Sequence, residues 1–209
     1  MSAIRFPQRG LYLITPDDGD SDALIARTRL VLPQAACLQY RRKHADAAQR
    51  RHEATLLRAM CRDMAICFIV NDDPILAKEV DADGVHVGED DAGIAHARAL
   101  LGPSRTIGVS CYDHAALAES AAKAGADYVA FGAVFPSSTK PHARRATPAL
   151  FTQTRNLGVP RVAIGGITPD NAPIAVAAGA DLLAVIGGVF DAPDPMAAAR
   201  TIAAAFDPP

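Results

Sequence analysis

The chain has 209 residues, 23 acidic against 21 basic, with half of them apolar and no Trp. That length suits one compact domain that buries its core without staples, and a formal charge of −2 lacks the basic excess of a general nucleic-acid binder. A charged fraction of 21% beside an apolar half excludes wholesale disorder. No run approaches the ~20 apolar residues of a membrane span, and the stretch from Met1 to Pro7 lacks the apolar centre of a signal peptide. Cys37, Cys61, Cys67 and Cys111 show neither CxxC pairing nor metal-ligand spacing. Reduced thiols in a cytoplasmic protein are therefore expected.

Short β-rich runs alternate with longer Ala-rich stretches along the whole chain. Strands are expected at Leu11 to Thr15, Ala36 to Arg41, Ile66 to Val70, Gly84 to Val87, Thr106 to Ser110, Tyr128 to Gly132, Arg161 to Ile164 and Leu182 to Ile186. Most are continuous apolar runs, as parallel strands buried on both faces require. Helices are expected near 20–32, 46–63, 74–80, 91–101, 113–124, 147–157, 169–178 and 195–206. Thr168-Pro169 and Asp194-Pro195 each place a capping side chain before a Pro at the first helical position. Gly125 and Gly179 stand where a helix must stop.

Strict alternation leaves a closed (β/α)8 TIM barrel or a doubly wound open sheet, and a count of eight favours the barrel. The expected organisation is one α/β barrel domain over residues 1–209. An internal echo agrees: Ala124-Gly125-Ala126-Asp127 recurs as Ala178-Gly179-Ala180-Asp181, and Val80-Asp81-Ala82-Asp83-Gly84 precedes the fourth strand. These aspartates precede strands, on the stability face of a barrel, and read as structural turn residues.

Barrel chemistry sits where strands end. The second strand ends in Gln39-Tyr40-Arg41-Arg42-Lys43; alternation puts Gln39, Arg41 and Lys43 on one face, suited either to a polyphosphate or to a solvated basic loop. Asn71-Asp72-Asp73 and Gly88-Glu89-Asp90-Asp91 follow the third and fourth strands. Their carboxylates suit a hard cation such as Mg²⁺; Asp72 or Asp73, and Asp91, also suit helix caps. His86 lies within a strand and reads as a hydrogen-bonded barrel residue rather than a ligand. Ser110 ends the fifth strand, and Phe135-Pro136-Ser137-Ser138-Thr139-Lys140-Pro141 follows the sixth with hydroxyls and an ammonium between two prolines. Gly165-Gly166 and Gly187-Gly188 follow the seventh and eighth strands, where backbone N–H groups most often hold phosphate in this fold.

Taken together, Gln39 to Lys43, Val70-Asn71-Asp72, Asp83 to Gly88, Gly108-Val109-Ser110, Ser137 to Lys140, Ile164 to Ile167 and Val185-Ile186-Gly187 resemble the thiamine-phosphate synthase family from Tyr12 to Gly187. The resemblance implies condensation of hydroxymethyl-aminopyrimidine diphosphate with hydroxyethyl-methylthiazole phosphate, releasing pyrophosphate and requiring Mg²⁺. It implies that Gln39, Arg41, Lys43 and Asn71 hold the pyrimidine diphosphate and that Asp72 and Asp91 ligate Mg²⁺. Ser110 and Lys140 would contact the pyrimidine substrate and its leaving group, with Arg41, Ser110 and Lys140 as the catalytic set. Ser137, Thr139, Gly166, Ile186 and Gly187 would contact the thiazole phosphate. The implied charges agree: three cations and one Mg²⁺ against two carboxylates leave a surplus near the charge of about −3 on a diphosphate ester.

Three positions depart from the family pattern: Tyr112 where many members have His, Glu89 where Gln is frequent, and Gly187 where Ser is. The thiazole tautomerase branch of the superfamily relies on a His where this chain has Ala133 and needs no diphosphate clamp. A non-catalytic sensor would have lost Lys140 or the metal pair. The expected partners are small molecules, with neither nucleic acid nor membrane; homo-oligomerisation is left open.

Overall fold

The computed structural model describes residues 4–17, 20–88, 93–136 and 146–207. Eight parallel strands close on themselves: β1 (Gly10–Ile14), β2 (Cys37–Tyr40), β3 (Cys67–Asn71), β4 (Gly84–Val87), β5 (Thr106–Tyr112), β6 (Tyr128–Gly132), β7 (Arg161–Ile164) and β8 (Leu182–Val185). Each pairs with its sequence neighbour, and β8 pairs with β1 through Leu11↔Leu183 and Tyr12↔Ala184. The closed (β/α)8 expectation holds.

The connecting helices are α1 (Ser21–Val31), α2 (Ala47–Asp63), α3 (Pro74–Glu79), α4 (Ile94–Leu101), α5 (Ala115–Lys123), α6 (Pro148–Gln153), α7 (Ala172–Ala177), α8 (Gly187–Phe190) and α9 (Pro195–Ala204). Four starts are set by an aspartate whose carboxylate accepts the N–H three residues on: Asp20 from Ala23, Asp46 from Gln49, Asp73 from Leu76 and Asp194 from Ala197. Gly125 and Gly179, at φ +93° and +104°, end α5 and α7 as expected. Thr168-Pro169 does not start a helix. Thr168 N donates to Asn171 Oδ1 at 2.8 Å, forming a turn that delays α7 to Ala172. The short helix α8 directly after β8 carries no sequence signal, because four residues hold no periodicity to read.

Strand alternation divides the core in two. Leu11, Leu13, Leu38, Phe68, Val70, Val85 and Ile107 face the helices in the larger apolar cluster. Tyr12, Ile14, Cys37, Cys67, Ile69, Tyr128, Val162 and Leu182 form a second cluster with Phe6, and these alternate positions fill the lumen. The four cysteines are free and buried.

The repeated aspartates are structural, as the sequence suggested. Asp83, Asp127 and Asp181 stand before the even strands, and each accepts a backbone N–H from the preceding odd strand. Phe68 N lies 2.9 Å from Asp83, Ile107 N 2.7 Å from Asp127 and Arg161 N 2.8 Å from Asp181. Each also meets an arginine: Arg58, Arg98 and Arg161 respectively. Asp83 is fully buried, so replacing it leaves the Arg58 guanidinium, 7% exposed at the base of the barrel, to the more distant Asp81 carboxylate at 4.0 Å and orphans the Phe68 N–H. Asp83→Ala is expected to cost about 3–5 kcal/mol. Asp127→Ala, at a more exposed pair, is expected to cost about 1 kcal/mol. Urea unfolding midpoints check this order, and equal losses would refute it.

Candidate active site at the C-terminal ends of the strands

The cationic run after β2 keeps the alternation of the strand. Arg41 is pinned by Thr15, whose hydroxyl accepts Arg41 N at 2.8 Å and donates to Arg41 O at 3.1 Å. The Arg41 guanidinium faces Asp17 at 3.4 Å, and the same carboxylate accepts Lys43 N at 2.9 Å. The Lys43 ammonium reaches Asp72 at 3.4 Å. Arg42 turns the opposite way, onto Glu53 of α2 at 3.2 Å.

Glu53 is fully buried and accepts from Tyr40 OH at 2.7 Å, Ser21 Oγ at 2.8 Å and Gln49 Nε2 at 3.0 Å, besides Arg42. Burial alone would push its pKa up, but the hydrogen bonds from Tyr40, Ser21, Gln49 and Arg42 outweigh it and hold the carboxyl below its ordinary value.

After β3 the choice between two adjacent carboxylates is resolved. Asp73 caps α3 and pairs with Arg50. Asp72, at φ +61°, gives its N–H to His86 O at 2.8 Å and turns its side chain toward Lys43. Aspartate tolerates this left-handed conformation better than most residues. A cleft of about 250 Å³ opens here, lined by Arg42, Lys43, Arg50, Asn71, Asp72 and Asp73 among others. Among the described residues no group of three or more His, Cys, Asp and Glu gathers to hold a metal. Asp72 is one hard oxygen donor at the mouth; Asp91 and Glu89 lie outside the described residues. The helix that Asp91 suits as a cap has Gly93 at its cap position.

His86 is a hydrogen-bonded barrel residue, as expected. Its Nδ1 lies 2.9 Å from Tyr128 OH and its Nε2 2.9 Å from Ser110 Oγ. On the other side of the lumen Gln39, 3% exposed, donates to Tyr12 OH at 2.8 Å. The strand carrying Ser110 runs two residues beyond its expected end, and its register against β6 shifts between Ser110 and Tyr112. Such bulges re-aim side chains beside active sites. Tyr112 is 41% exposed at the mouth with φ +50°.

Across the mouth the chain offers backbone rather than side chains. Gly166, at φ +66°, packs so closely that a Cβ would fall 2.3 Å from Pro136 O; at Gly188 it would fall 2.0 Å from Ile167 O. Strand β8 ends at Val185 rather than Ile186 because Ile186 caps α8. The N–H groups of Gly187 and Gly188 open that helix and so have no intrahelical acceptor. Ser137, Thr139 and Lys140 fall within 137–145, outside the described residues.

The structure thus places Gln39, Arg41, Lys43, Asn71 and Asp72 at the ends of β2 and β3, Ser110 near the end of β5, and Gly166, Ile186 and Gly187 at the ends of β7 and β8. Sequence reasoning missed Asp17, Arg50, Glu53, Tyr12 and Tyr128. Asp17 follows the end of the first strand and was findable by the strand-end rule. The other four depend on which helix or strand face lies opposite, which only the register reveals.

A closed parallel barrel with such a mouth defines a TIM-barrel enzyme whose site is equipped for anionic ligands. A family model described as thiamine monophosphate synthase matches residues 11–189, and the chain belongs to that family. The thiamine-phosphate synthase of Xanthomonas campestris pv. campestris (strain 8004) is 58% identical over 198 residues, covering 95% of this chain and 96% of that one. Its counterpart in Azoarcus sp. (strain BH72) is 56% identical over 200 residues, covering 95% and 97%. Among solved structures, thiamine phosphate pyrophosphorylase from Pyrococcus furiosus superposes with a TM-score of 0.83 at 32% identity, covering 93% of this chain and 94% of that one.

The depressed Glu53 carboxyl makes a signed prediction. Its stabilisation is fully present above the ordinary carboxylate pKa of about 4.3 and is lost as pH falls through the lower folded value. Glu53→Gln is expected to lower stability at pH 7 by roughly 1–3 kcal/mol. It should also flatten the loss below about pH 4.3. Denaturant titrations at a series of pH values check both; an unchanged acid limb would contradict the assignment.

Proposed function

We propose that this chain, as one barrel domain over residues 1–209, joins hydroxymethyl-aminopyrimidine diphosphate to hydroxyethyl-methylthiazole phosphate, yielding thiamine phosphate and pyrophosphate. The observation that supports this is the closed strand order, which sets the ends of β2 and β3, with Arg41, Lys43, Asn71 and Asp72, on a different part of the mouth from the tightly packed glycine loops of β7 and β8. Two anionic substrates need two such half-sites. Gln39, Arg41, Lys43 and Asn71 hold the pyrimidine diphosphate, and Ser110 and Lys140 contact its ring and leaving group. Ser137, Thr139, Gly166 and the backbone of Ile186 and Gly187 hold the thiazole phosphate.

In the reaction the bond from the pyrimidine methylene to the diphosphate oxygen breaks, and its electron pair leaves with pyrophosphate. The thiazole ring nitrogen then bonds to the carbocation-like methylene. Arg41, Lys43 and Lys140 stabilise the charge that grows on the departing oxygens, and the opposite loops hold the thiazole in line. No side-chain nucleophile is called for. The hard oxygen of Asp72 beside Lys43 fits Mg²⁺ better than a soft metal; Asp72 and Asp91 would hold the ion. When bound, Mg²⁺ supplies positive charge to the diphosphate oxygens.

The tautomerase reading has no support after the sixth strand, where Ala133 offers no titratable group. Four free, buried thiols suit a reducing cytoplasm, and among the described residues no helix is long and apolar enough to cross a membrane.

Purified protein given both substrates should release pyrophosphate only with Mg²⁺, and Asp91→Ala should abolish that dependence together with most of the release. No release by the wild type, or unchanged release by the variant, overturns the reading. Lys140→Ala should lower turnover by ~10²–10³-fold, the scale of one preorganised transition-state contact; turnover within about tenfold of wild type removes Lys140 from the mechanism.

A further inference from the structure

A file of hydrogen bonds crosses the lumen beneath the mouth, and its three interior members, Tyr12, Tyr128 and His86, have no part in the reaction as written above. Gln39 Nε2 donates to Tyr12 OH at 2.8 Å; the hydroxyls of Tyr12 and Tyr128 are 2.7 Å apart. Tyr128 OH lies 2.9 Å from His86 Nδ1, and His86 Nε2 lies 2.9 Å from Ser110 Oγ. Tyr12 and Tyr128 are at most 1% exposed and His86 8%, so bulk water does not compete for these groups. The Tyr128 ring is built into the fold: Phe6 stacks on it at 4.0 Å and 4°. Gly108 stands where any Cβ would fall 1.9 Å from Tyr128 Cζ.

The file has a direction. With the amide nitrogen of Gln39 facing Tyr12, the Tyr12 oxygen is an acceptor, and its one proton goes to Tyr128. The Tyr128 proton then goes to His86 Nδ1, which must carry none. The ring proton sits on Nε2 and is donated to Ser110 Oγ. That leaves the Ser110 hydroxyl proton outside the file. Burial pushes both tyrosine pKa values well above the ordinary phenol, so neither becomes a phenolate that would break the sequence.

We propose that Tyr12 and Tyr128 are positioning residues that lock His86 as its Nε2–H tautomer and so make the Ser110 hydroxyl a hydrogen-bond donor toward the pyrimidine half-site. The recognised group is then an acceptor, such as an unprotonated ring nitrogen or a diphosphate oxygen. This rests on the reading of Gln39 and Ser110 as pyrimidine contacts. The reverse amide orientation reverses every bond: Tyr12 donates to Gln39 Oε1, Nδ1 carries the proton, and Ser110 donates inward and offers only lone pairs.

Nitrogen-15 NMR of the imidazole in ligand-free protein decides the direction, and His86→Gln identifies the resonance. The relay requires a proton on Nε2 and none on Nδ1; any ring state with a proton on Nδ1 overturns it. Because no substrate is present, that failure sinks the relay alone, whereas absence of pyrophosphate release by the wild type sinks the functional reading. Kinetics supply the second arm. Tyr128→Phe keeps the ring and removes the bridging hydroxyl. It should lower kcat/KM for the pyrimidine diphosphate about tenfold, the scale of one hydrogen bond, with KM for the thiazole phosphate unchanged. In a Ser110→Ala background the same substitution should add nothing. Tyr12→Phe leaves the Tyr128–His86 bond in place and should cost less. A full loss from Tyr128→Phe in the Ser110→Ala background, or an equal loss toward both substrates, overturns the positioning role.

Discussion

The register of the barrel is held from below, and the mouth depends on that register. Strand side chains alternate, so a slip of one residue would carry every inward side chain to the helix face. Asp83, Asp127 and Asp181 oppose such slips by bonding the first or second N–H of the neighbouring odd strand and an arginine together. Three of the eight strand pairs are thereby clamped by charge at the base, and apolar packing fills the rest. Strand alternation puts Gln39, His86, Ser110, Tyr12 and Tyr128 on the inner face, and the clamps at Asp83 and Asp127 bear on the registers of β4, β5 and β6, which carry His86, Ser110 and Tyr128.

The same dependence explains what could be read beforehand. Fully buried parallel strands announce themselves as apolar runs, so β4, β6 and β7 were bounded to the residue. The strand-end rule then located the mouth without any contact being known. What escaped was anything defined by opposition. Tyr12 and Tyr128 look like ordinary strand aromatics until the closed register sets their hydroxyls 2.7 Å apart. Glu53 looks like one more charge on a polar helix until α2 lays it over Tyr40 and Arg42. The end of β5 was misplaced because a bulge breaks the alternation on which the reading rested.

The run Arg41-Arg42-Lys43 combines an anchor with two exchangeable cations. Arg42 and Glu53 are 6% and 0% exposed, and their pair is tied into α1, β2 and α2 through Ser21, Tyr40 and Gln49. Breaking it would strand a buried charge, so it stays. Lys43 and Asp72 are 54% and 30% exposed at 3.4 Å, and pairs of that kind are worth about 0–1 kcal/mol. On the proposed reading, a polyanion bearing several charges outcompetes one such carboxylate without disturbing the backbone that Thr15 and Asp17 hold in place. Lys43, which on that reading meets the ligand, thus has a weak partner, and its neighbour Arg42 has a strong one.

The far side of the mouth follows the opposite rule, because its donors are peptide N–H groups fixed by packing. Gly166 and Gly188 have no room for a Cβ against neighbouring backbone, so these loops keep one shape. Gly187 differs in kind. A Cβ there would meet Asp191 Oδ2 at 2.7 Å, the end of a side chain that is 68% exposed and pairs with Arg27 at 3.6 Å. A Ser at 187 would require Asp191 to swing away and would disturb its contact with Arg27. The glycine and the Asp191–Arg27 pair are thus alternatives to a hydroxyl at the same spot. A glycine at 187 leaves the backbone donors as they are and lets the Asp191 side chain flank them.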